Sequence, residues 1–191
     1  MKLPIVNNQN EVQIIQHVAG ITITKETPQN IAEGYGKECT QCGKCCSLDS
    51  GMVLEKDIPA LAKFLEISET ELKQKYLDEN SKFNTFAYKL KRIKPENKPY
   101  GKCILFDEKT GCTVHEVKPT HCRVCSTKSK HGEQLSIWFI LNYFVNPNDP
   151  ESIRQYAQYL KTHPTIPGGE LEKLVPDPEK LKKILRYELF R

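Results

Sequence analysis

The spacing of apolar residues predicts two short helices in the first half of the chain. One apolar face recurs at positions i, i+3, i+4 and i+7 and consists of Ile58, Leu61, Ala62 and Leu65. Asp57 stands where a helix N-cap is expected, and Pro59 lies in the first turn of the same helix. Ser68 followed by Glu71 has the pattern of a capping box, so we expect a second helix that ends near Leu77.

The middle of the chain has the pattern of β-strands. Alternation over residues 86–91 predicts a half-buried strand with three side chains on its apolar face: Phe86, Tyr88 and Leu90. Farther along, residues 103–106 and 112–115 flank the loop Asp107–Gly111, which predicts a β-hairpin. The register of this hairpin stays open, because a slip of one residue moves every side chain to the opposite face.

Helical spacing dominates the last third of the chain. Leu135, Trp138 and Phe139 have this spacing and are expected in the core, although residues 137–145 also fit a buried strand. Two Asp-Pro pairs, Asp149-Pro150 and Asp177-Pro178, predict helix starts with the aspartate as N-cap and the proline at the first helical position. The last helix is expected to bury Leu181, Ile184, Leu185 and residues 187–190.

The expected fold class is α+β. We expect a small β-hairpin and a cysteine-ligated metal site surrounded by helices, with a helical last third. A single domain is expected over residues 1–191, with a cysteine-cluster core at 39–126 and a helical extension at 127–191. Near the N-terminus, residues 12–23 predict one strand or a short helix.

The composition fits one globular domain. The chain has 191 residues, and its net charge of +4 is too small to indicate a nucleic-acid footprint. A basic stretch among aromatic residues between Lys89 and Lys102 fits a solvated strand edge as well as a single-strand-binding surface. We therefore do not expect a nucleic-acid partner. The longest apolar run, Ile137–Val145, is shorter than the ~20 residues of a membrane span, so we expect no membrane partner.

The sequence shows eight cysteines in two groups. The first cysteine cluster is Cys39, Cys42, Cys45 and Cys46, and the second is Cys103, Cys112, Cys122 and Cys125. The absence of a recognisable targeting signal leads us to expect a cytoplasmic protein. Thiols in that reducing compartment are more often metal ligands or catalysts than disulfides. Polar neighbours such as Glu38 and Lys44 also argue against simple core packing of the first cluster.

The first cluster has the spacing of a metal-ligand group. A C-x-x-C turn brings two thiolates to one metal, and tetrahedral zinc takes four. C-x-x-C-x-x-C is also most of the ligand run of a bacterial ferredoxin, so an iron–sulfur cluster fits as well. Adjacent side chains diverge by ~180° in a strand or ~100° in a helix, so Cys45 and Cys46 are expected to have different roles. Neither cluster makes a closed site alone, and we expect the two to meet in space.

These residues resemble the cysteine-cluster family often called YkgJ-like, whose members are described as candidate zinc- or iron-chelating proteins. The resemblance covers about residues 39–126 and rests on the motif that ends in Cys45-Cys46 and on Lys118-Pro-Thr-His-Cys122-Arg123. It indicates as metal ligands Cys39, Cys42, Cys45, Cys46, Cys103, Cys112 and Cys122. Cys125 lies outside the family pattern, and Lys118 stands where the family usually has Arg.

The predicted function is metal binding, with zinc or an iron–sulfur cluster as cofactor and a structural or regulatory role. One alternative is an iron–sulfur redox or methyltransferase-associated enzyme, since a similar cysteine cluster occurs in flagellin lysine methylation proteins. Another is a zinc-stabilised module that binds nucleic acid or protein. No phosphate loop or hydrolase motif indicates a reaction, so catalytic residues and a protein partner stay unassigned.

Three residues near the second cluster stay open as further ligands: His115, His121 and Cys125. Imidazole nitrogen can replace thiolate on zinc, although a hydrogen-bonded structural histidine fits the same positions. The remaining histidines, His17, His131 and His163, are expected at the surface.

Overall fold

A computed structural model of the chain describes residues 15, 20–36, 39–48, 51–96, 98 and 100–189. These residues form an α+β fold, as predicted, with short helices around small antiparallel sheets. Most of the segment 12–23, the residue His17 and the end of the expected inward run at 187–190 lie outside the described residues. In the described part of the chain, no helix has the length and hydrophobicity needed to cross a bilayer.

The helices are α1 (Gln29–Gly36), α2 (Lys44–Leu48), α3 (Ile58–Phe64), α4 (Glu69–Tyr76), α5 (Thr120–Val124), α6 (Gly132–Tyr143), α7 (Pro150–Tyr159), α8 (Leu171–Leu174) and α9 (Pro178–Leu185). Two single 3₁₀ turns lie at Glu55–Asp57 and His115–Val117. The strands are β1 (Met52–Val53), β2 (Leu77–Lys82), β3 (Thr85–Leu90), β4 (Arg92–Ile93), β5 (Lys102–Cys103), β6 (Phe106–Asp107) and β7 (Gly111–Cys112).

The strands form one three-stranded sheet and two two-stranded ladders, all antiparallel. In the larger sheet β3 lies between β1 and β2. The predicted hairpin is confirmed as β6 and β7, in which Phe106 pairs with Cys112. Asp107 shapes the turn by accepting hydrogen bonds from the backbone N–H groups of Lys109 and Thr110, both at 2.8 Å. Cys103 pairs with Arg92 in the neighbouring ladder and so lies outside the hairpin strands.

The strand predicted over residues 86–91 is present, and its predicted apolar face is buried in part. Leu90 is buried and Tyr88 is partly buried, whereas Phe86 is 53% exposed. Ala87 of the opposite face is buried as well. Phe86 packs edge-on against Tyr88 at the surface, with ring centroids 5.0 Å apart. Alternation identifies the residues that share a face, as Phe86 and Tyr88 do, but here each face contributes a buried residue, Ala87 on one and Leu90 on the other.

The predicted helix starts are confirmed where the side chain of the N-cap residue bonds to the first turn of its own helix. Ser68 accepts from the backbone N–H of Glu71, and Asp149 and Asp177 cap α7 and α9 in the same way. Asp57 precedes α3 but makes no capping hydrogen bond there, because its carboxylate has distant partners. The inward prediction for the end of the chain is wrong at Leu185 and at Tyr187, which are 40% and 58% exposed.

Two hydrophobic cores lie in the molecule. The larger core includes Trp138, Phe139 and Tyr156, which confirms the core assignment of α6 and its helical form. The smaller core includes Ile58, Leu61 and Leu72 of α3 and α4, as the helix pattern predicts. The expectation that His131 lies at the surface is wrong: it is 7% exposed, and its ring packs at a tilt against that of Tyr35, with ring centroids 5.4 Å apart.

Candidate metal centre

All eight cysteines line one cavity of about 80 Å³, which we call the cysteine cavity. The predicted meeting of the two clusters is thereby confirmed. The walls come from the loop at 39–43, α2, β5, β7 and α5. Three of the cysteines, Cys46, Cys103 and Cys112, also pack with the smaller core, whereas Cys125 packs against the larger one. The cavity therefore lies where the two cores adjoin.

The first cluster is shaped by a glycine turn that leads into α2. Gly43 has a φ of +72°, and a Cβ there would lie 2.4 Å from the ring of Phe106, so the position needs glycine for both reasons. Ser47 donates from its hydroxyl to the carbonyl of Gly43 at 2.9 Å and closes the turn. This arrangement sets α2 against the hairpin, with Cys45 and Cys46 on the helix.

Cys45 and Cys46 face different surroundings. Sγ of Cys45 lies 3.1 Å from Oγ1 of Thr127 and accepts from the backbone N–H of the same threonine at 3.3 Å. Cys46 instead packs with the smaller core, near Cys103 and Cys112. The ~100° between adjacent side chains on a helix accounts for this divergence.

Cys122 is held in a tight position by the backbone around it. A Cβ on Gly51 would lie 2.1 Å from Sγ of Cys122, so only glycine leaves room for the thiol at its present place. Cys122 itself belongs to α5, a helix of five residues that needs support from its neighbours.

Asp57 supplies that support, a role that the sequence did not reveal. Its carboxylate accepts from the backbone N–H of Thr120 at 3.1 Å and from the hydroxyl of Thr120 at 2.7 Å. It also accepts from the backbone N–H of Leu54 at 3.1 Å. Arg123 lies 3.9 Å from the same carboxylate and 3.3 Å from that of Glu33. The start of α5 is thus fastened to the 3₁₀ turn that precedes α3.

Four thiols, those of Cys46, Cys103, Cys112 and Cys122, influence one another electrostatically, and we call them the inner thiols. Burial, followed by the neighbouring Cys103 and Cys112 thiols, raises the pKa of Cys46 to about 12. The same causes raise the pKa of Cys122 well above the ordinary thiol range, although this residue keeps some accessible surface in the cavity. Burial also raises the pKa of Cys103 and Cys112. Without a cation, these thiols are therefore protonated at neutral pH.

The other cysteines lie nearer to solvent or to the larger core. Cys42 is exposed, and the pKa of its thiol is lowered mainly by a hydrogen bond from the backbone N–H of Lys44. Cys39 is half-buried, and its charge is one of the causes that raise the pKa of Cys112, after burial. Burial raises the pKa of Cys125 to about 12, and the positive charge of Lys82 opposes that rise.

The two candidate histidines are placed differently. His121 lines the cysteine cavity, and its ring packs edge-on against Phe139 with centroids 4.7 Å apart. His115 lies outside the cavity lining, and burial lowers the pKa of its ring. Of the two, His121 is the one that the fold brings to the cysteines.

The donor set fits a thiophilic metal, although the sulfurs share a cavity without converging on one point. Across the described residues, no three His, Cys, Asp or Glu side chains are already gathered as ligands of one ion. Both zinc and iron–sulfur clusters are held by thiolates. A bound cation would also offset the mutual repulsion of the inner thiols once they lose their protons.

A cysteine-lined cavity in an α+β fold defines a metal-chelating class of protein. Residues 38–139 match the model of a family described as "CxxCxxCC: Putative zinc- or iron-chelating domain", and this match covers more than half of the chain. The chain belongs to that family. The matched region extends beyond the predicted core at 126 and includes the first two turns of α6. Comparison with curated proteins and with solved structures gives no match.

Proposed function

We propose that this protein holds zinc or an iron–sulfur cluster in the cysteine cavity, in a structural or regulatory role. The observation that carries the proposal is the convergence of both cysteine clusters on one cavity. The two clusters are far apart along the chain, so packing alone does not explain why all eight thiols line one cavity.

The inner thiols are the proposed principal ligands. They come from α2, β5, β7 and α5, and each of these elements is fixed by the fold: α2 by Gly43, α5 by Asp57, and the strands by their ladders. Metal binding requires these side chains to bring their sulfurs together around the ion, with release of their protons.

Cys39, Cys42 and Cys45 are proposed as outer ligands or exchangeable donors. They lie on the more open side of the cavity, and the lowered pKa of Cys42 favours its thiolate. With Cys125 the chain offers enough thiols for two four-thiolate sites, and without it one site and spare donors.

When bound, zinc would supply a cross-link between the two cores, and an iron–sulfur cluster would add electron transfer to that cross-link. The residues of this chain would orient the sulfurs, keep water away from the inner thiols and bind them to both cores. All of the proposed ligands line the cysteine cavity.

Anaerobic purification followed by metal analysis and visible absorption tests the proposal. We expect at least one equivalent of zinc or iron per chain, and a brown colour with thiolate-to-iron absorption if iron is present. The variant Cys125→Ala tests the role of Cys125 in the same measurement. An unchanged metal content identifies Cys125 as a spare thiol, and the loss of one equivalent identifies it as a ligand. A chain that retains no metal under these conditions would refute the proposal.

A further inference from the structure

The thiols of the cysteine cavity lie at different depths below the surface. Cys42 is the exposed one of the eight, Cys39 and Cys45 are half-buried, and Cys103 is 5% exposed. The cavity has a volume of about 80 Å³, whereas small-molecule sites commonly have ~300–1,000 Å³. A molecule that carries a metal therefore has no room inside the cavity, but it can reach Cys42 from solution.

The half-buried thiols connect Cys42 to the inner thiols. Burial is the main cause of the raised pKa of Cys46, and the thiols of Cys39 and Cys45 contribute to it. Burial also raises the pKa of Cys112, again with a contribution from Cys39. Both half-buried thiols therefore lie within electrostatic range of the inner thiols, and a metal can pass from one group to the other along the cavity wall.

The existing partners of Cys42 are compatible with metal binding. Its sulfur accepts hydrogen bonds from the backbone N–H of Lys44 and from the side chain of Thr40. Both groups donate to the sulfur, so they stabilise a thiolate, which is the form that binds metals. A thiolate that accepts two hydrogen bonds still has a lone pair for a metal.

The charge around the cavity favours an anionic carrier. Three lysines line it, Lys44, Lys118 and Lys128, and none of the Asp or Glu residues that the structure describes does so. No ion pair among the described residues includes these lysines. The pKa of Cys42 is lowered mainly by the N–H of Lys44 and further by the positive charge of Lys128, so this lysine lies near the exposed thiol. Such a surface repels a free divalent cation and attracts a metal complex of net negative charge.

We propose that metal enters and leaves the cysteine cavity at Cys42, by thiolate exchange with a small anionic thiol that carries the metal. In this step the sulfur of Cys42 forms a bond to the metal while the sulfur of the carrier gives one up. The proton that leaves Cys42 is taken by the released carrier thiolate. Exchange with Cys39 or Cys45, with the same proton balance, then moves the metal towards the inner thiols. This inference rests on the proposed metal function and adds to it a route and a class of carrier.

Isotope exchange in the full-length, zinc-bound protein tests the class of carrier. The protein is mixed with an isotopically labelled zinc complex of N-acetylcysteine or of its neutral amide, and the label it gains is measured by mass spectrometry after rapid gel filtration. We expect exchange to be at least about five-fold faster with the anionic carrier, and the difference to shrink at high ionic strength. Equal rates at low ionic strength would overturn the anionic class.

Substitution of Cys42 tests the route. We expect Cys42→Ser to slow exchange per bound zinc by at least about ten-fold with both carriers, because a hydroxyl cannot take over the metal as a thiolate does. Removal of an ordinary ligand would loosen the zinc and make its exchange faster, so the sign of the change separates the two roles. An unchanged or faster exchange in Cys42→Ser would overturn the route.

Substitution of Lys128 tests the attraction of the carrier. We expect Lys128→Gln to slow exchange with the N-acetylcysteine complex and to have little effect with the amide complex. Lys130→Gln is the matched control, because Lys130 is also exposed but does not line the cavity. Equal exchange by the two variants would overturn the assignment of Lys128.

Alkylation of the unaltered protein keeps the test decisive if Cys42→Ser fails to fold. Iodoacetamide should modify Cys42 before the other cysteines of the zinc-bound protein, and exchange should slow as this modification proceeds. Complete alkylation of Cys42 with an unchanged exchange rate would overturn the route.

Metal content, determined in the same samples, separates this inference from the proposed function. Bound zinc that exchanges independently of Cys42 refutes the inference alone. A chain that holds an iron–sulfur cluster and no zinc also refutes the inference and leaves the metal function standing. A chain that holds no metal refutes both.

Discussion

At the scale of single residues, the adjacent cysteines of α2 have different environments. Cys45 is hydrogen-bonded by Thr127, whereas Cys46 packs with the smaller core among the inner thiols. Adjacent positions in the chain therefore carry one thiol that is hydrogen-bonded by Thr127 and one that packs with the smaller core.

We expect Cys46→Ser to lose most of the bound metal and Cys45→Ser to lose much less. The reason is that Cys46 interacts with the other three inner thiols, and a serine hydroxyl is a poor ligand for zinc or iron. The number of metal ions per chain, measured by mass spectrometry after gel filtration, tests this prediction. Equal and small losses in both variants would show that neither thiol is a principal ligand.

The raised thiol pKa values predict how the metal-free protein responds to pH. An unfolded cysteine has a pKa of ~8.5, whereas Cys125 in the folded chain has a pKa of about 12. Above pH ~8.5 the unfolded state therefore releases protons that the folded state keeps, and stability falls as pH rises through this window. Below pH ~8.5, the contribution of the Cys125 thiol to stability is fully present.

Urea unfolding of the metal-free, reduced protein at pH 7 to 10 measures this effect. We expect the free energy of unfolding to be level up to pH ~8 and then to decrease, by at most ~1.4 kcal/mol per pH unit for each such thiol. Cys125→Ala should show a shallower decrease, because it lacks this thiol. Tyrosines that titrate in the same range are present in both proteins, so they do not account for a difference between the two slopes. Identical slopes would contradict a raised pKa at Cys125.

At the scale of the elements, α5 is the part of the site that depends most on a distant residue. It carries His121 and Cys122 into the cavity, and Asp57 fastens its first turn. A five-residue helix gains little from its own hydrogen bonds, so this contact decides where Cys122 stands.

We expect Asp57→Asn to destabilise the protein by ~1–3 kcal/mol and to weaken metal binding. The substitution removes the charge that accepts from the backbone and hydroxyl of Thr120, two groups buried away from water. The control is Asp78→Asn, an exposed carboxylate on β2. Urea midpoints and metal affinity of the two variants are compared, and equal behaviour would argue against a positioning role for Asp57.

The helices could be predicted from signals that are local in the sequence, such as N-caps. Contacts between residues far apart in the sequence could not be predicted in this way. Ser68, Asp149 and Asp177 were identifiable as caps because their partners lie two or three residues away. Asp57 looked the same in sequence, but its partner Thr120 is 63 positions distant. The burial of His131 likewise depends on Tyr35, which the sequence does not place beside it.

The candidate site also has features that the sequence predicts and features that it does not. The cysteines of the first cluster are recognisable from their spacing alone, and their meeting with the second cluster follows from the need for a closed ligand set. The order of the thiols within the cavity depends on side chains from several elements. No short pattern in the sequence records such an arrangement.

At the scale of the whole molecule, a metal bound in the cysteine cavity would join the two hydrophobic cores. We expect a chelator to lower the melting temperature by many degrees, since binding free energy at a site absent from the unfolded chain is folding free energy. An unchanged melting temperature in the chelated protein would contradict a metal that contributes to stability.

The larger core should outlast the smaller one after chelation. It is built mainly from α6, α7 and α9, which bury their own apolar faces, and it contains Trp138, the one tryptophan of the chain. Fluorescence of Trp138 should therefore indicate a buried indole at temperatures where the smaller core has already opened. Simultaneous loss of Trp138 burial and of all helical circular dichroism would show that the cores unfold together without metal.

The division of the cavity wall between two distant segments has a consequence for the protein during its synthesis. Cys46 precedes Cys103 by 57 residues, which a ribosome adds in roughly 3–11 s at ~5–20 residues per second. Throughout that interval the nascent chain offers only the thiols of residues 39–46, a group that several metals can bind and leave. A firm choice of metal then waits until residue 122 has been synthesised and α5 has docked, because the ligand set is incomplete before the second cluster is present.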